Sequence, residues 1–302
     1  MAERLPPHDL AIIIPTRDRW SILQRTLDGL ADQSVDDFDI IVVVDGFDQQ
    51  PPALNARVLQ KEHGGPGAAR NYGVQHTDAK LLLFLGDDMV PTTQLVERHL
   101  TAHASHPNPT DAVVGHVDWH PDVHRDRLLR WLDWSSTQFD FRNIVGDNAG
   151  WGRFYSCNVS LKRELFDAVA GFDEEFTYYY EDLDLAWRLH ERGLNLAYAR
   201  DALAHHLHEY TWDRLAKRFS GIAAGERLMA EKHEWFEPFF AARIDGALQQ
   251  PRRNKLWSQL VDYVPERPRR ARTAAERRAN EWYYQQLAPA FHSVWDGRPI
   301  QR

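Results

Sequence analysis

Near-continuous apolar runs at Leu10 to Pro15, Phe38 to Val44 and Leu81 to Leu85 alternate with helix-patterned segments, and each run stops at a polar cluster. Strands that are apolar at nearly every position, rather than every second one, are buried on both faces. A mainly parallel sheet covered by helices provides that environment. Ile22, Leu23, Leu27 and Leu30 recur at helical spacing, so Trp20 to Leu30 reads as a helix. Further helices are expected over Ala68 to His76 and Pro91 to His103, and a short strand near Val58-Leu59. The fold class is therefore α/β, with a Rossmann-like, mainly parallel central sheet flanked by helices. Ligands of such sheets bind outside the carboxyl ends of the strands. Pro15-Thr16-Arg17, Asp45 and Asp87-Asp88 all fall at such ends, so three polar clusters converge on one rim.

The middle of the chain is less regular. Val113 to Trp119 reads as a strand, Arg125 to Trp134 as a helix, and Asp140 to Gly152 as a loop. Phe154 to Leu161 is extended, and Leu194 to Ala199 is a strand leading into His205-His206-Leu207-His208. Helical patterning returns from Trp212 to about Phe240. Pro265 to Arg278 is basic and proline-containing, as expected of a linker or exposed turn before a last helix near Ala275 to Leu287. No internal repeat or low-complexity tract is present.

Composition narrows the function classes. The formal net charge of -8 argues against general nucleic-acid binding, which calls for a basic face. Cys157 is the single cysteine, so neither an internal disulfide nor a cysteine-rich zinc site can form. Met1 to Asp9 lacks the apolar core of a secretion signal, and no apolar stretch approaches the ~20 residues that span a bilayer. The expectation is a cytoplasmic protein, at most peripheral at the inner face of the membrane.

Two acidic clusters carry the chemical argument. Asp87 and Asp88 end a buried strand, where carboxylates are costly unless a cation meets them. Hard cations such as Mg²⁺ or Mn²⁺ take carboxylate oxygens and keep positions open for phosphate oxygens. Taken alone, Asp-Asp reads more readily as a helix N-cap. Glu181-Asp182 follows the aromatic patch Tyr178-Tyr179-Tyr180 and opens an amphipathic helical pattern; a carboxylate there could take a proton from an acceptor hydroxyl, or merely favour the helix dipole. One histidine of the His205-His206-His208 group would complete a metal site begun by Asp88. Arg214 and Arg218, at helical spacing, could meet a diphosphate or face solvent. Arg70 follows the turn Gly64-Gly65-Pro66-Gly67, whose glycines would let backbone approach a ligand. That turn has neither the Walker lysine pattern nor G-x-G-x-x-G, so P-loop and nicotinamide readings drop out.

The order of these pieces is more specific than any one of them. Ile12-Ile13-Ile14-Pro15-Thr16-Arg17-Asp18-Arg19, Ile41-Val42-Val43-Val44-Asp45-Gly46, Gly67-Ala68-Ala69-Arg70-Asn71-Tyr72-Gly73, Phe84-Leu85-Gly86-Asp87-Asp88 and Asn158 to Arg163 follow one another. Gly171-Phe172-Asp173-Glu174 and Glu181-Asp182-Leu183-Asp184-Leu185 complete the series. Together they resemble family 2 glycosyltransferases of the GT-A fold, over about Leu10 to Gly225. The resemblance implies a metal-dependent transferase moving a sugar from a nucleotide-diphosphate sugar to an acceptor hydroxyl, with inversion, in glycan, polysaccharide or glycoconjugate biosynthesis. A sugar nucleotidyltransferase, or a non-catalytic sugar-nucleotide or glycan-binding module, is the alternative.

The resemblance also implies roles. Pro15, Thr16, Arg17, Asp45, Arg70 and Asp87 would bind the donor, of UDP, GDP or dTDP type. Asp88 with His206 or His208 would hold Mn²⁺ or Mg²⁺, Asp182 would be the catalytic base, and Trp119, Tyr180 and Glu181 would lie on the acceptor side. The acceptor would be a glycan, a lipid-linked molecule or a small molecule. Gly86 departs from the family, where many relatives carry an acid, and so does Asp45-Gly46-Phe47-Asp48, where relatives often have a second Asp and then Gly-Ser. Residues 1–230 would form the GT-A domain, its nucleotide half about 1–115 and its acceptor half about 116–230. Residues 231–302 would form a helical extension. Trp235, Phe236, Phe239 and Phe240 there are expected to pack back on the domain, in preference to pairing protomers in a homodimer or lying on an anionic membrane.

Overall fold

The computed structural model describes residues 9–46, 50–264 and 269–296, with side chains except at 269–271. The expectations for the chain start before Asp9, for Phe47 and Asp48, and for Pro265 to Pro268 lie outside those residues. The chain forms two compact units. One comprises Met1–Val123, Asn143–Thr177 and Glu181–His208; the other comprises His124–Arg142, Tyr178–Tyr180 and Glu209–Arg302.

Up to residue 119 the elements are β1 (Leu10–Thr16), α1 (Trp20–Ala31), β2 (Asp39–Asp45), β3 (Arg57–Lys61), α2 (Gly65–Gln75), β4 (Leu81–Leu85), β5 (Met89–Pro91), α3 (Leu95–Ser105) and β6 (Asp111–Trp119). Then come α4 (Arg127–Trp134), β7 (Asn158–Lys162), α5 (Arg163–Asp167), α6 (Glu181–His190) and β8 (Asn195–His206). The chain finishes with α7 (Trp212–Lys232), α8 (Phe239–Leu248), α9 (Leu256–Leu260), a 3-10 turn at Val261–Tyr263, and α10 (Arg269–Trp295).

The strands of the first unit form one sheet in the order β3-β2-β1-β4-β7-β6-β8-β5. β1 pairs in parallel with β2 and β4, β2 with β3, and β6 with β8. β7 is antiparallel to β4 and β6, and β5 is antiparallel to β8. The sheet is thus mainly parallel but mixed, because β7 returns between two parallel groups. Every residue of β1 is buried, as its unbroken apolar run demands. The chain leaves β1 toward β2 and β3 and then crosses back to β4 on the other side. That reversal opens a crevice at the carboxyl ends of β1 and β4, where ligands of open α/β sheets bind.

Several boundaries moved for identifiable reasons. The helix expected from Pro91 starts at Leu95, because Met89–Pro91 pairs with β8. Asp88 therefore caps no helix, and the N-cap explanation of its charge fails. β8 continues to His206 as a 12-residue strand, longer than its apolar part, with a register irregularity opposite Gly115/His116.

The second unit is helical. Trp131 of α4 is fully buried, stacks on Tyr283 of α10 at 4.2 Å, and donates its indole N–H to Asn280 Oδ1 at 2.7 Å. The helical run expected from Trp212 to Phe240 breaks after Lys232 and restarts at Phe239, just after Pro238, whose ring cannot continue a helix. Glu226 of α7 is buried and accepts the Phe240 and Ala241 backbone N–H groups, which satisfies the start of α8. The helix expected from Ala275 begins already at Arg269, inside the stretch expected as a linker. Ala275, Ala279, Tyr283, Leu287 and Phe291 form a buried stripe at i+4 spacing, and the arginines of the first turns belong to the same helix. The boundary expected near residue 230 falls inside α7.

Candidate active site

Asp87 and Asp88 follow β4 and are both buried. Thr16, the last residue of β1, donates its hydroxyl to Asp87 Oδ2 at 2.7 Å. Arg19, just ahead of α1, spans both acids: Nε donates to Asp87 Oδ2 at 3.1 Å, Nη2 pairs with Asp87 Oδ1, and Nη1 donates to Asp88 Oδ2 at 2.8 Å. Thr26 of α1 donates to the Asp87 carbonyl at 2.8 Å and fixes the turn. Burial raises the Asp87 carboxyl, and the Asp88 charge adds to that, against the opposing pull of Arg19 and Thr16.

Asp88 has a second set of neighbours. His206 Nε2 lies 3.5 Å and His208 Nδ1 3.3 Å from Asp88 Oδ2. One donor atom from each of the three residues falls within a 4.8 Å span. Burial opposes ionisation of Asp88, but His206, His208 and Arg19 outweigh it and hold its carboxyl well below the usual carboxylate range. Strand alternation sends His205 to the opposite face, where its ring meets His120 at 6.1 Å. One carboxylate oxygen and two imidazole nitrogens at this spacing suit a hard-to-borderline divalent cation with open positions. Trp119 is buried and stacks on His206 at 5.1 Å, fixing that imidazole.

Glu181 and Asp182 open α6, whose start lies close to α2. The glycines allow this approach: a Cβ on Gly65, at φ 89°, would sit 2.1 Å from the Thr177 carbonyl oxygen, and one on Gly67 would sit 3.2 Å from Phe172 Cβ. The close approach that the glycine turn permits is thus to the chain itself. It brings Arg70 Nη1 to 3.3 Å from Glu181 Oε1, with both side chains buried, and the guanidinium over the Phe172 ring at 5.4 Å. Arg70 lies beside the acidic pair. Burial, then the neighbouring Glu181 charge, pushes the Asp182 carboxyl up to about 7, against Arg70 and the Leu183 and Ser156 backbone N–H groups. Cys157 lies within electrostatic reach of both clusters: burial first, then the charges of Asp88 and Asp182, raise its thiol. Gly86 donates its N–H to the Cys157 carbonyl at 3.0 Å, and a Cβ on Gly86 would meet Met89 Cγ at 3.0 Å and Asp88 Oδ1 at 3.1 Å. Met89 and Asp88 thus already fill the space that a side chain at 86 would enter.

The remaining sequence candidates fall elsewhere. Asp45 ends β2 and accepts the Gly64 and Gly65 N–H groups at 2.8 and 2.9 Å, holding the start of α2, with His63 Nδ1 at 2.7 Å. Pro15 is buried in β1 and Arg17 is exposed after it. Tyr180 belongs to the helical unit, where its hydroxyl donates to Glu226 Oε1 at 2.6 Å. Arg214 is exposed there, and Arg218 pairs with Gln138 and with the Tyr210 hydroxyl. Arg19 is the residue that sequence reasoning missed as part of the site. Its signal was its place in the Pro15 to Arg19 segment on the same rim as the two acids.

The description glycosyl transferase family 2 matches residues 11–170, more than half of the chain. This chain belongs to that family. Validoxylamine A glucosyltransferase of Streptomyces hygroscopicus subsp. jinggangensis is 29% identical over 231 residues, covering 64% of this chain and 54% of that protein. The chain thus spans about half the length of that curated relative. Among solved structures, S. aureus TarS 1-349 aligns with a TM-score of 0.55 at 14% identity, covering 97% of this chain and 93% of that one. The mannosyltransferase PcManGT from Pyrobaculum calidifontis, in complex with GDP-Man and Mn²⁺, aligns with a TM-score of 0.55 at 14% identity, covering 98% and 77%. The fold is that of the GT-A glycosyltransferases.

Proposed function

We propose that this family 2 glycosyltransferase is a metal-dependent enzyme that moves a sugar from a nucleotide-diphosphate donor to an acceptor hydroxyl with inversion. The observation that carries this reading is the pairing around Cys157 of a cation-binding donor set, Asp88-His206-His208, with a protonatable carboxyl, Asp182. Asp88 Oδ2, His206 Nε2 and His208 Nδ1 would hold Mn²⁺ or Mg²⁺, whose charge would offset that of the departing diphosphate. The acceptor oxygen bonds to the anomeric carbon as the bond from that carbon to the diphosphate oxygen breaks. Asp182 takes the acceptor proton, and attack opposite the leaving group inverts the centre. Thr16 and Arg19 hold Asp87 in place at the donor side of the crevice. Asp45, Arg17 and Pro15 lie at the same strand ends. Arg70 steadies Glu181 beside the base rather than serving only the nucleotide.

The donor in the mannosyltransferase complex is GDP-Man with Mn²⁺, which supports a nucleotide-sugar donor here without choosing the base. The unit that holds the sheet would carry the transfer reaction, and the helical unit would form the extension. A thermal-shift panel of UDP, GDP, dTDP and CDP, each with and without Mn²⁺, tests the reading. A Mn²⁺-dependent rise with one nucleotide is the expected result. Metal-independent stabilisation, or full transfer in EDTA, would remove the metal from the scheme. Release of pyrophosphate instead of a nucleoside diphosphate would identify a nucleotidyltransferase.

A further inference from the structure

Within the helical unit, α9 and the turn after it turn Leu256, Leu260 and Tyr263 outward. Leu256, Leu260 and Tyr263, at i, i+4 and i+7, are 56%, 44% and 75% exposed, whereas Ser258 and Val261 on the other side are 4% and 2% exposed. Single exposed apolar residues are ordinary, but three on one ridge mark a surface built for contact. The charge around it is equally distinctive. In a chain of net charge -8, Arg253 is paired with Glu281 at 2.5 Å and Arg272 with Glu276 at 2.8 Å, which leaves two cations beside the ridge. Arg252 and Lys255, immediately before the stripe, are exposed and meet no carboxylate among the described residues. Asp262, the acid inside the stripe, is already neutralised by Arg127 at 3.0 Å and Arg130 at 2.9 Å. Arg272 donates to the Val261 and Val264 carbonyls and holds the turn in shape.

We infer that the Leu256-Leu260-Tyr263 ridge with Arg252 and Lys255 is a docking surface for an anionic phospholipid bilayer. Leucines entering the acyl boundary, a tyrosine at headgroup level and cations beside them are the parts of an interfacial anchor. A basic surface on an otherwise acidic protein selects anionic lipid. The aromatics singled out from sequence are not on this ridge: Phe236 meets Tyr180, and Phe240 meets Phe219. The inference does not depend on the reaction assigned above.

The test is co-sedimentation of the full chain with phosphatidylcholine vesicles, alone or with about a third phosphatidylglycerol, alongside light scattering in free solution. Binding to the anionic vesicles only, weakened by salt, is expected. The double variant Arg252→Gln/Lys255→Gln should bind on the order of thirtyfold more weakly. Leu256→Ser/Leu260→Ser should also lose binding while thermal unfolding is unchanged, because these side chains are exposed. The control Lys80→Gln/Lys217→Gln removes two exposed charges elsewhere and should bind like the parent. Equal binding to both vesicle types, no binding, or equal losses in the control would overturn the inference. So would a dimer in solution that Leu256→Ser/Leu260→Ser converts to monomer, since a second copy would then cover the ridge.

Discussion

If Asp182 is the base, its ionisation sets the acid limb of the pH–rate profile. Burial and Glu181 raise its carboxyl to about 7, so at about pH 5 roughly 1% of it is ionised and at about pH 8 roughly 90%. The rate constant kcat/KM for nucleoside diphosphate release should therefore fall nearly a hundredfold between those pH values. An unperturbed aspartate, with a pKa near ~3.9, would lose less than about a tenth of its activity over the same range. The profile is measured with the donor chosen by the nucleotide panel, at saturating Mn²⁺. Saturation matters because loss of the metal as pH falls would otherwise produce a limb of its own.

Perturbing the neighbours separates the base from other groups. Glu181→Gln removes the like charge beside Asp182, so the inflection should move to lower pH by about one unit. Arg70→Lys keeps the charge but loses the planar guanidinium over Phe172; a small shift, upward, is expected. Asp182→Asn should abolish transfer while the thermal shift with nucleotide and Mn²⁺ persists. A profile flat from about pH 5 to 8, or a Glu181→Gln inflection that stays in place or rises, would refute the assignment of Asp182.

Asp88→Asn, His206→Ala and His208→Ala should each weaken Mn²⁺ binding by about ten- to a hundredfold in isothermal titration, with folding intact. Arg19→Gln removes the cation that shares Asp88 Oδ2, so Mn²⁺ should bind several-fold tighter in the same titration; weaker binding would show that Arg19 supports the metal instead. Burial lowers His99 to about 4 and His103 to about 3, where they bond to Ser160 and His99 also to Asn158. Both are neutral in the native state while an unfolded histidine titrates near ~6.5. The unfolded chain thus binds more protons as pH falls below that value, and stability drops by about 2 kcal/mol per histidine at about pH 5. Urea unfolding at about pH 7 and 5 measures this, and His99→Asn should flatten the dependence. Gly65→Ala, at positive φ and against the Thr177 carbonyl, should destabilise the fold by about 2–5 kcal/mol in the same assay.

The sheet was legible because its strands are buried on both faces and so are written as unbroken apolar runs: β1, β2 and β4 lie within a residue or two of the segments read from pattern. Where an element is held by partners instead of by its own periodicity, the reading slipped. β5 is three residues long and exists because β8 pairs with it, and no window of sequence displays that pairing. The buried stripe of α10 is written plainly at i+4, but the arginines and proline upstream disguised its start. Among the histidines, two-residue alternation along β8 was enough in principle to place His205 opposite His206. Choosing which face met Asp88 required the register between β5 and β8.

Arg19 and Arg70 show the limit from the other side. Both stand in the motif segments, yet their geometry pairs each with acids supplied by another segment: Arg19 with Asp87 and Asp88, 68 and 69 residues away, and Arg70 with Glu181, 111 away. A buried carboxylate pair requires a countercharge, and that requirement can be deduced from sequence. The identity of the countercharge cannot, because arginine and a bound divalent ion answer it equally well. At Asp88 both answers converge on Oδ2. That oxygen is therefore where a metal and Arg19 would compete, and the direction of the Arg19→Gln effect on Mn²⁺ affinity decides whether the arginine holds the place of the metal or helps to fill it.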